Sequence, residues 1–160
     1  MSVAFRRETD DEHLEPRFEL PIPPGPNLVT QKGFAQIAAR VTELENALAT
    51  AEDDEVRKAI RRDLRYWSTR QASAQVMPPP GDDVVAFGSV VRLSHNGRER
   101  TIMLVGDDEA DPAAGLLSFT APLSRAIMGA EAGETVDFAG KPDAVTILEI
   151  NPALEINPEP

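Results

Sequence analysis

The sequence predicts an α+β protein: an N-terminal antiparallel helical hairpin (a coiled coil), then a mainly antiparallel sheet domain with one short helix. Three observations predict it. Apolar residues from 34 to 74 recur at seam spacing and are broken once by a run of charge. The cluster Pro78-Pro79-Pro80-Gly81 ends that pattern. Beyond it, short apolar runs are separated by glycine and asparagine turns.

Residues 1–29 mix clustered charge with Pro21, Pro23, Pro24 and Pro26 and show no helical or alternating period, so an extended, poorly ordered arm is expected. In 30–77, Thr30 can cap a helix start, and Phe34, Ile37, Val41, Leu44 and Leu48 follow at spacings of 3, 4, 3 and 4, the two-position seam of a coiled coil. The charged run Glu52-Asp53-Asp54-Glu55 interrupts it, and a second stripe runs Val56, Ile60, Leu64, Trp67, Gln71, Ala74. Two helices joined by a few polar residues fold back on each other. Each has about 20 residues, which at ~1.5 Å per residue makes a hairpin about 30 Å long. Residues 78–83 read as a stiff linker.

Residues 84–150 read as strands with one helix. Val84 to Leu93 is strand-like, Asn96-Gly97 is a two-residue hairpin turn, and Arg100 to Val105 is the return strand. Leu116 to Phe119 offers a third strand. Pro122 to Met128 reads as a short helix, with proline early and Gly129 at its end. Glu134 to Phe138 and Ala144 to Ile150 supply two more strands. Residues 151–160, with three prolines, form a tail.

Composition narrows the function. The 160 residues are 41% apolar and 27% charged, normal for a globular protein, and no apolar run approaches the roughly 18 residues of a membrane helix. The N-terminus has no signal-like apolar stretch, so a cytoplasmic protein without membrane partners is expected. Zero cysteines exclude disulfides, zinc ribbons and thiol catalysis, and His13 and His95 lie too far apart in the chain to suggest a histidine metal site. The net charge of −11 repels duplex DNA from the protein as a whole. It is uneven: residues 1–80 hold 11 basic and 13 acidic side chains, and residues 81–160 hold 5 and 14. Contact with nucleic acid is therefore expected only from a patch in the first half. No order or spacing supports a Ser-His-Asp set, and no glycine-rich phosphate loop is present.

Several segments, in order, resemble the Gre family of bacterial transcription elongation factors. Val85-Ala86-Phe87-Gly88-Ser89-Val90-Val91, Val105 to Pro112, Phe119 to Gly129 and Gly133-Glu134 resemble the C-terminal domain of that family. Val29-Thr30-Gln31-Lys32-Gly33-Phe34 resembles its helix start. The resemblance spans about residues 28–150. It implies a coiled-coil arm followed by an FKBP-like domain. The implied partner is RNA polymerase, with the globular domain docked at the rim of the secondary channel and the arm inserted toward the catalytic centre. Nascent RNA is met there through the polymerase complex. The implied chemistry belongs to the polymerase, so the protein is expected to be no enzyme and to hold no cofactor of its own beyond a shared magnesium ion. A monomer is expected.

Three groups of candidate site residues follow. Glu52, Asp53, Asp54 and Glu55 stand at the hairpin tip, and carboxylates are the hard oxygen ligands that magnesium prefers. The plain alternative is a solvated turn whose charges favour the next helix N-terminus. The tip departs from the family loop, which resembles G-D-L-S-E-N-A. Only Glu52 and Glu55 keep a three-residue spacing, and the hairpin is several turns shorter than a full-length family arm. Arg57, Lys58, Arg61, Arg62 and Arg65, with Arg70 beyond, crowd the second helix as a face for RNA or channel contact. The alternative there is pairing with Glu43, Glu45 and Asp63. Thr120, Ala121, Pro122 and Leu123 are the polymerase-docking segment that the resemblance implies, with Pro-Leu as an apolar anchor. Trp67 reads as seam packing, His95 as solvated, and Gly106 to Asp111 as a turn rather than a calcium loop. From another class, a peptidyl-prolyl isomerase on the same fold needs an aromatic-lined pocket, and the globular half offers only Phe87, Phe119 and Phe138. A plain interaction module with a different partner is the third reading.

Overall fold

The computed structural model describes residues 19–152. It divides into two units: residues up to Pro26 with Ala35–Ala74, and Asn27–Phe34 with the chain from Gln75 onward.

The first unit is the hairpin. Helix α1 spans Gln31–Thr50 and α2 spans Asp54–Ser73, joined by only three residues. The seam holds on α1, where Ile37, Val41 and Leu44 are buried. On α2 the stripe Ile60, Leu64 and Trp67 is half-buried. Val56, expected at its head, is 48% exposed. It stands in the first turn of α2, next to the three-residue connection. Trp67 packs edge-on against Tyr66, ring centroids 5.0 Å apart.

The second unit begins earlier than the sequence suggests. Residues 27–29, expected in the arm, form strand β1 (Asn27–Val29), and residues 74–76, expected in the hairpin, form β2 (Ala74–Val76). The two pair, and the Met77 N–H donates to the Val29 carbonyl at 2.9 Å. Asn27 and Val29 are buried, so burial rather than local period decides this strand. Thr30 then caps α1: its Oγ1 accepts from the Gly33 N–H at 2.8 Å.

The main sheet contains β3 (Val90–His95), β4 (Arg98–Val105), β5 (Leu116–Ser118), β6 (Thr135–Phe138) and β7 (Lys141–Ile150), in the order β5-β4-β3-β7-β6. Helix α3 (Pro122–Ile127) contributes Leu123 and Ile127 to a core with Val91, Leu93, Ile102, Leu104, Val145 and Ile147. Asn96 and Gly97 both take positive φ, 56° and 77°, as the tight turn between β3 and β4 requires. The sheet is mainly antiparallel, as expected, with β5 joining β4 in parallel. One expectation shifts. The strand expected from Val84 begins only at Val90. Gly88 sits at φ +90°, and the Val85 backbone bonds to Ala130 and Gly129 instead of a neighbouring strand, so 84–89 is a loop that buries Val85, Phe87 and Ser89. No helix among the described residues is long and apolar enough to cross a membrane.

Candidate functional site

At the hairpin tip the charged run is put to structural use. Asp53 is the N-cap of α2, with φ −77° and ψ 130°, and its carboxylate accepts from the Val56 N–H at 3.3 Å. Asp54 and Glu55 occupy the first turn, where negative charge opposes the helix dipole favourably. Arg57, expected on the outward basic face, turns inward. Its Nη1 donates to the carbonyls of Leu48 at 2.7 Å and Ala51 at 3.0 Å, which satisfies acceptors that the end of α1 leaves open. The turn is thus locked by one side chain, and Glu52, Asp54 and Glu55 remain exposed. Among the described residues, no group of three or more His, Asp or Glu side chains is arranged to hold a metal ion. The tip offers hard oxygens, but Asp53 is committed to the cap.

The outward face of α2 carries Lys58, Arg61, Arg62 and Arg65, spaced so that they share one side of the helix. Lys58 and Arg61 are exposed and make no ion pair with described residues. Arg62 lies 3.7 Å from Asp63. Arg65 is bound by Glu19, whose hydrogen bond raises the guanidinium pKa, while partial desolvation lowers it and the Glu19 charge raises it further. Arg70 is buried, 2% exposed, and leaves the face. Of the alternative pairings with Glu43, Glu45 and Asp63, the one with Asp63 forms, whereas Glu43 bonds Arg40 on its own helix at 2.9 Å.

In the globular unit, the segment 118–123 is held by a carboxylate that sequence reasoning treated only as part of a turn. Asp107 Oδ1 accepts from Ser118 Oγ at 2.5 Å and from Thr120 Oγ1 at 3.2 Å, and the Thr120 N–H donates to Ser118 Oγ at 3.1 Å. Thr120 and Pro122 are exposed and Ala121 is half-buried. Leu123 is not an exposed anchor. It is 7% exposed within the core, because the first turn of α3 points it under the sheet domain. The acidic loop is the expected turn, closed by the Glu109 N–H on the Gly106 carbonyl at 3.2 Å. Glu109 also accepts from Thr30 Oγ1 at 2.6 Å.

A cavity of about 430 Å³, absent from the sequence reading, is lined by Met77, Pro78, Phe87, Met103, Leu116 and their neighbours. Among the described residues, Phe87 is its one aromatic wall. Phe119 meets Phe87 edge-on at 5.4 Å, and Phe138 packs on His95, so the three phenylalanines of the globular unit do not all line this cavity.

Residues 80–152 match the family model described as transcription elongation factor, GreA/GreB, C-term. The transcription elongation factor GreA of Pseudomonas putida is 33% identical over 138 residues, covering 85% of this chain and 84% of that protein. GreA of Mycoplasmopsis pulmonis is 32% identical over 120 residues, covering 72% of this chain and 61% of that protein. A solved prokaryotic transcription elongation factor GreA/GreB from Nitrosomonas europaea is 22% identical, covers 80% of this chain and 99% of its own, and superposes at a TM-score of 0.38.

Proposed function

This chain belongs to the GreA/GreB family of transcription elongation factors, and from that premise we propose that it binds RNA polymerase at the secondary channel and regulates elongation there without an active site of its own. The observation that carries the reading is the alignment with the Pseudomonas putida factor, which runs through both the hairpin and the sheet domain. On this reading the sheet domain docks through the exposed Thr120 and Pro122 and the half-buried Ala121, with Asp107 holding Thr120. The hairpin enters the channel tip-first, and the Lys58, Arg61, Arg62 and Arg65 face meets RNA phosphates or acidic channel walls. Any magnesium held near Glu52, Asp54 or Glu55 belongs to the polymerase centre, since these side chains alone form no cage.

Two observations favour a factor that occupies the channel without stimulating cleavage. Asp53 is spent on the helix cap, and each helix has 20 residues, about 30 Å at ~1.5 Å per residue. Titration of core polymerase with labelled protein tests the partner: saturable binding is expected, lost to competition by an authentic Gre factor. A transcript-cleavage assay on stalled complexes separates the modes. Release of short RNA above polymerase alone, abolished by Glu52→Gln/Asp54→Asn/Glu55→Gln, identifies a cleaving factor. No release identifies an occluding one.

A further inference from the structure

The cavity of about 430 Å³ lies wholly within the second unit, since each residue lining it belongs to Asn27–Phe34 or to the chain from Gln75 onward. Its lining is mainly apolar. Met103 and Leu116 stand opposite each other in the parallel pairing of β4 with β5, and Met77 and Phe87 join them. These walls are set before anything binds. The rings of Pro78, Pro79 and Pro80 each fix φ at about −65°. The Met77 N–H donates to the Val29 carbonyl at 2.9 Å, the Gly88 N–H to the Leu104 carbonyl at 2.8 Å, and the Met103 N–H to the Gly115 carbonyl at 2.8 Å. Phe87 is braced edge-on by Phe119. Gly88 makes room for the Pro80 ring, from which an added Cβ would stand only 3.2 Å. A pocket fixed in this way loses little conformational entropy on being filled.

We propose that this cavity binds a small amphipathic anion, with its apolar body against Met77, Phe87, Met103 and Leu116 and its acid group beside the Lys32 ammonium. The volume falls in the range of about 300–1,000 Å³ found for small-molecule sites, which are mostly apolar with a few polar groups that fix orientation. The two methionines are flexible thioethers and adapt to bodies of differing outline. The polar groups decide the sign of the head group. Glu109 is engaged by the Thr30 hydroxyl at 2.6 Å. Lys32 is exposed and makes no ion pair with a described residue, so it is the uncommitted charge of the lining and favours an anion. None of Thr120, Ala121 and Pro122 lines the cavity, so the site stands whether or not polymerase is the partner.

Two dyes test it directly. Anilinonaphthalene sulfonate and uncharged anilinonaphthalene share one apolar body and differ by the acid group. Titrated into the full native chain, both are expected to saturate a single site with a rise in fluorescence. In ¹⁵N spectra of the parent, the amides of Met77, Phe87, Met103 and Leu116 should shift most. Lys32→Gln is expected to weaken the sulfonate about twofold to fivefold, the range for an exposed ion pair, and to leave the uncharged dye unchanged. Met103→Trp and Met77→Trp, made separately, fill the cavity and should abolish binding of both dyes, with near-UV circular dichroism reporting that the fold is kept. If neither filling variant folds, the shift map of the parent decides. Fluorescence that does not saturate, shifts centred outside the lining, or a folded filling variant that binds as the parent does overturns the proposal. So does Lys32→Gln that weakens both dyes alike or neither.

Discussion

Arg57 reaches back nine residues to donate to the Leu48 carbonyl at 2.7 Å, joining the first turn of α2 to the last turn of α1. The same nitrogen meets the Ala51 carbonyl, so one guanidinium closes the hairpin turn. Arg57→Ala is expected to destabilise the protein by about 1–3 kcal/mol, the range for hydrogen bonds from a charged donor. Arg57→Lys should recover only part of this, because an ammonium lacks the planar fork. Urea unfolding followed by far-UV circular dichroism measures both.

The tip carboxylates should separate by role. Asp53→Ala removes the cap and is expected to cost about 0.5–2 kcal/mol, with Asp53→Asn nearly neutral. Glu52→Gln and Glu55→Gln, exposed and outside the cap, should stay within about 0.5 kcal/mol of the parent. Equal losses at all three positions in thermal unfolding would contradict the cap assignment.

Two glycines should respond differently to alanine. At Gly106 an added Cβ would stand 2.3 Å from the Leu28 carbonyl oxygen, a backbone atom, so Gly106→Ala is expected to cost about 1–3 kcal/mol or more. At Gly33 the nearest atom is the Glu109 carboxylate, 2.6 Å away at the end of a flexible side chain. There the lost Thr30–Glu109 contact is offset by about 1 kcal/mol of helix propensity, and Gly33→Ala should be close to neutral. Calorimetric unfolding of both variants provides the comparison.

In the docking segment, binding and folding come apart. Leu123→Ala should lower stability by about 2–5 kcal/mol, as for other buried leucines. Pro122→Ser and Thr120→Ala should leave the fold intact and weaken core-polymerase binding in a fluorescence titration. If Pro122→Ser binds polymerase as the parent does, the docking assignment fails.

On the hairpin face, Lys58→Ala and Arg61→Ala should each reduce the slope of log K against log salt for single-stranded RNA by about 0.7. Arg57→Ala should leave that slope unchanged, since its guanidinium faces inward. A slope reduced equally by all three would place Arg57 on the phosphate side.

Much of the architecture was legible along the chain. The seam through Ile37, Val41 and Leu44, the Asn96-Gly97 turn and the proline-started helix at 122 all depend on backbone periods and dihedral preferences that act within a few residues. The family resemblance was legible for the same reason, in short motifs kept in order. The site was less so. Arg57 and Arg61 lie four apart and look equivalent in the sequence, yet only Arg57 has open carbonyls within reach.

Thus the sequence alone determined the helices, most strands, the charge asymmetry and the family, because each is written in neighbours or in composition. Tertiary structure decided that Leu123 is core, that residues 27–29 form a strand, that β5 runs parallel to β4, and that Asp107 holds Thr120. Each of these depends on a partner far off in the chain, as with Thr30 and Glu109, 79 residues apart. Such a partner is chosen by where the folded backbone brings it, and no local period encodes that distance.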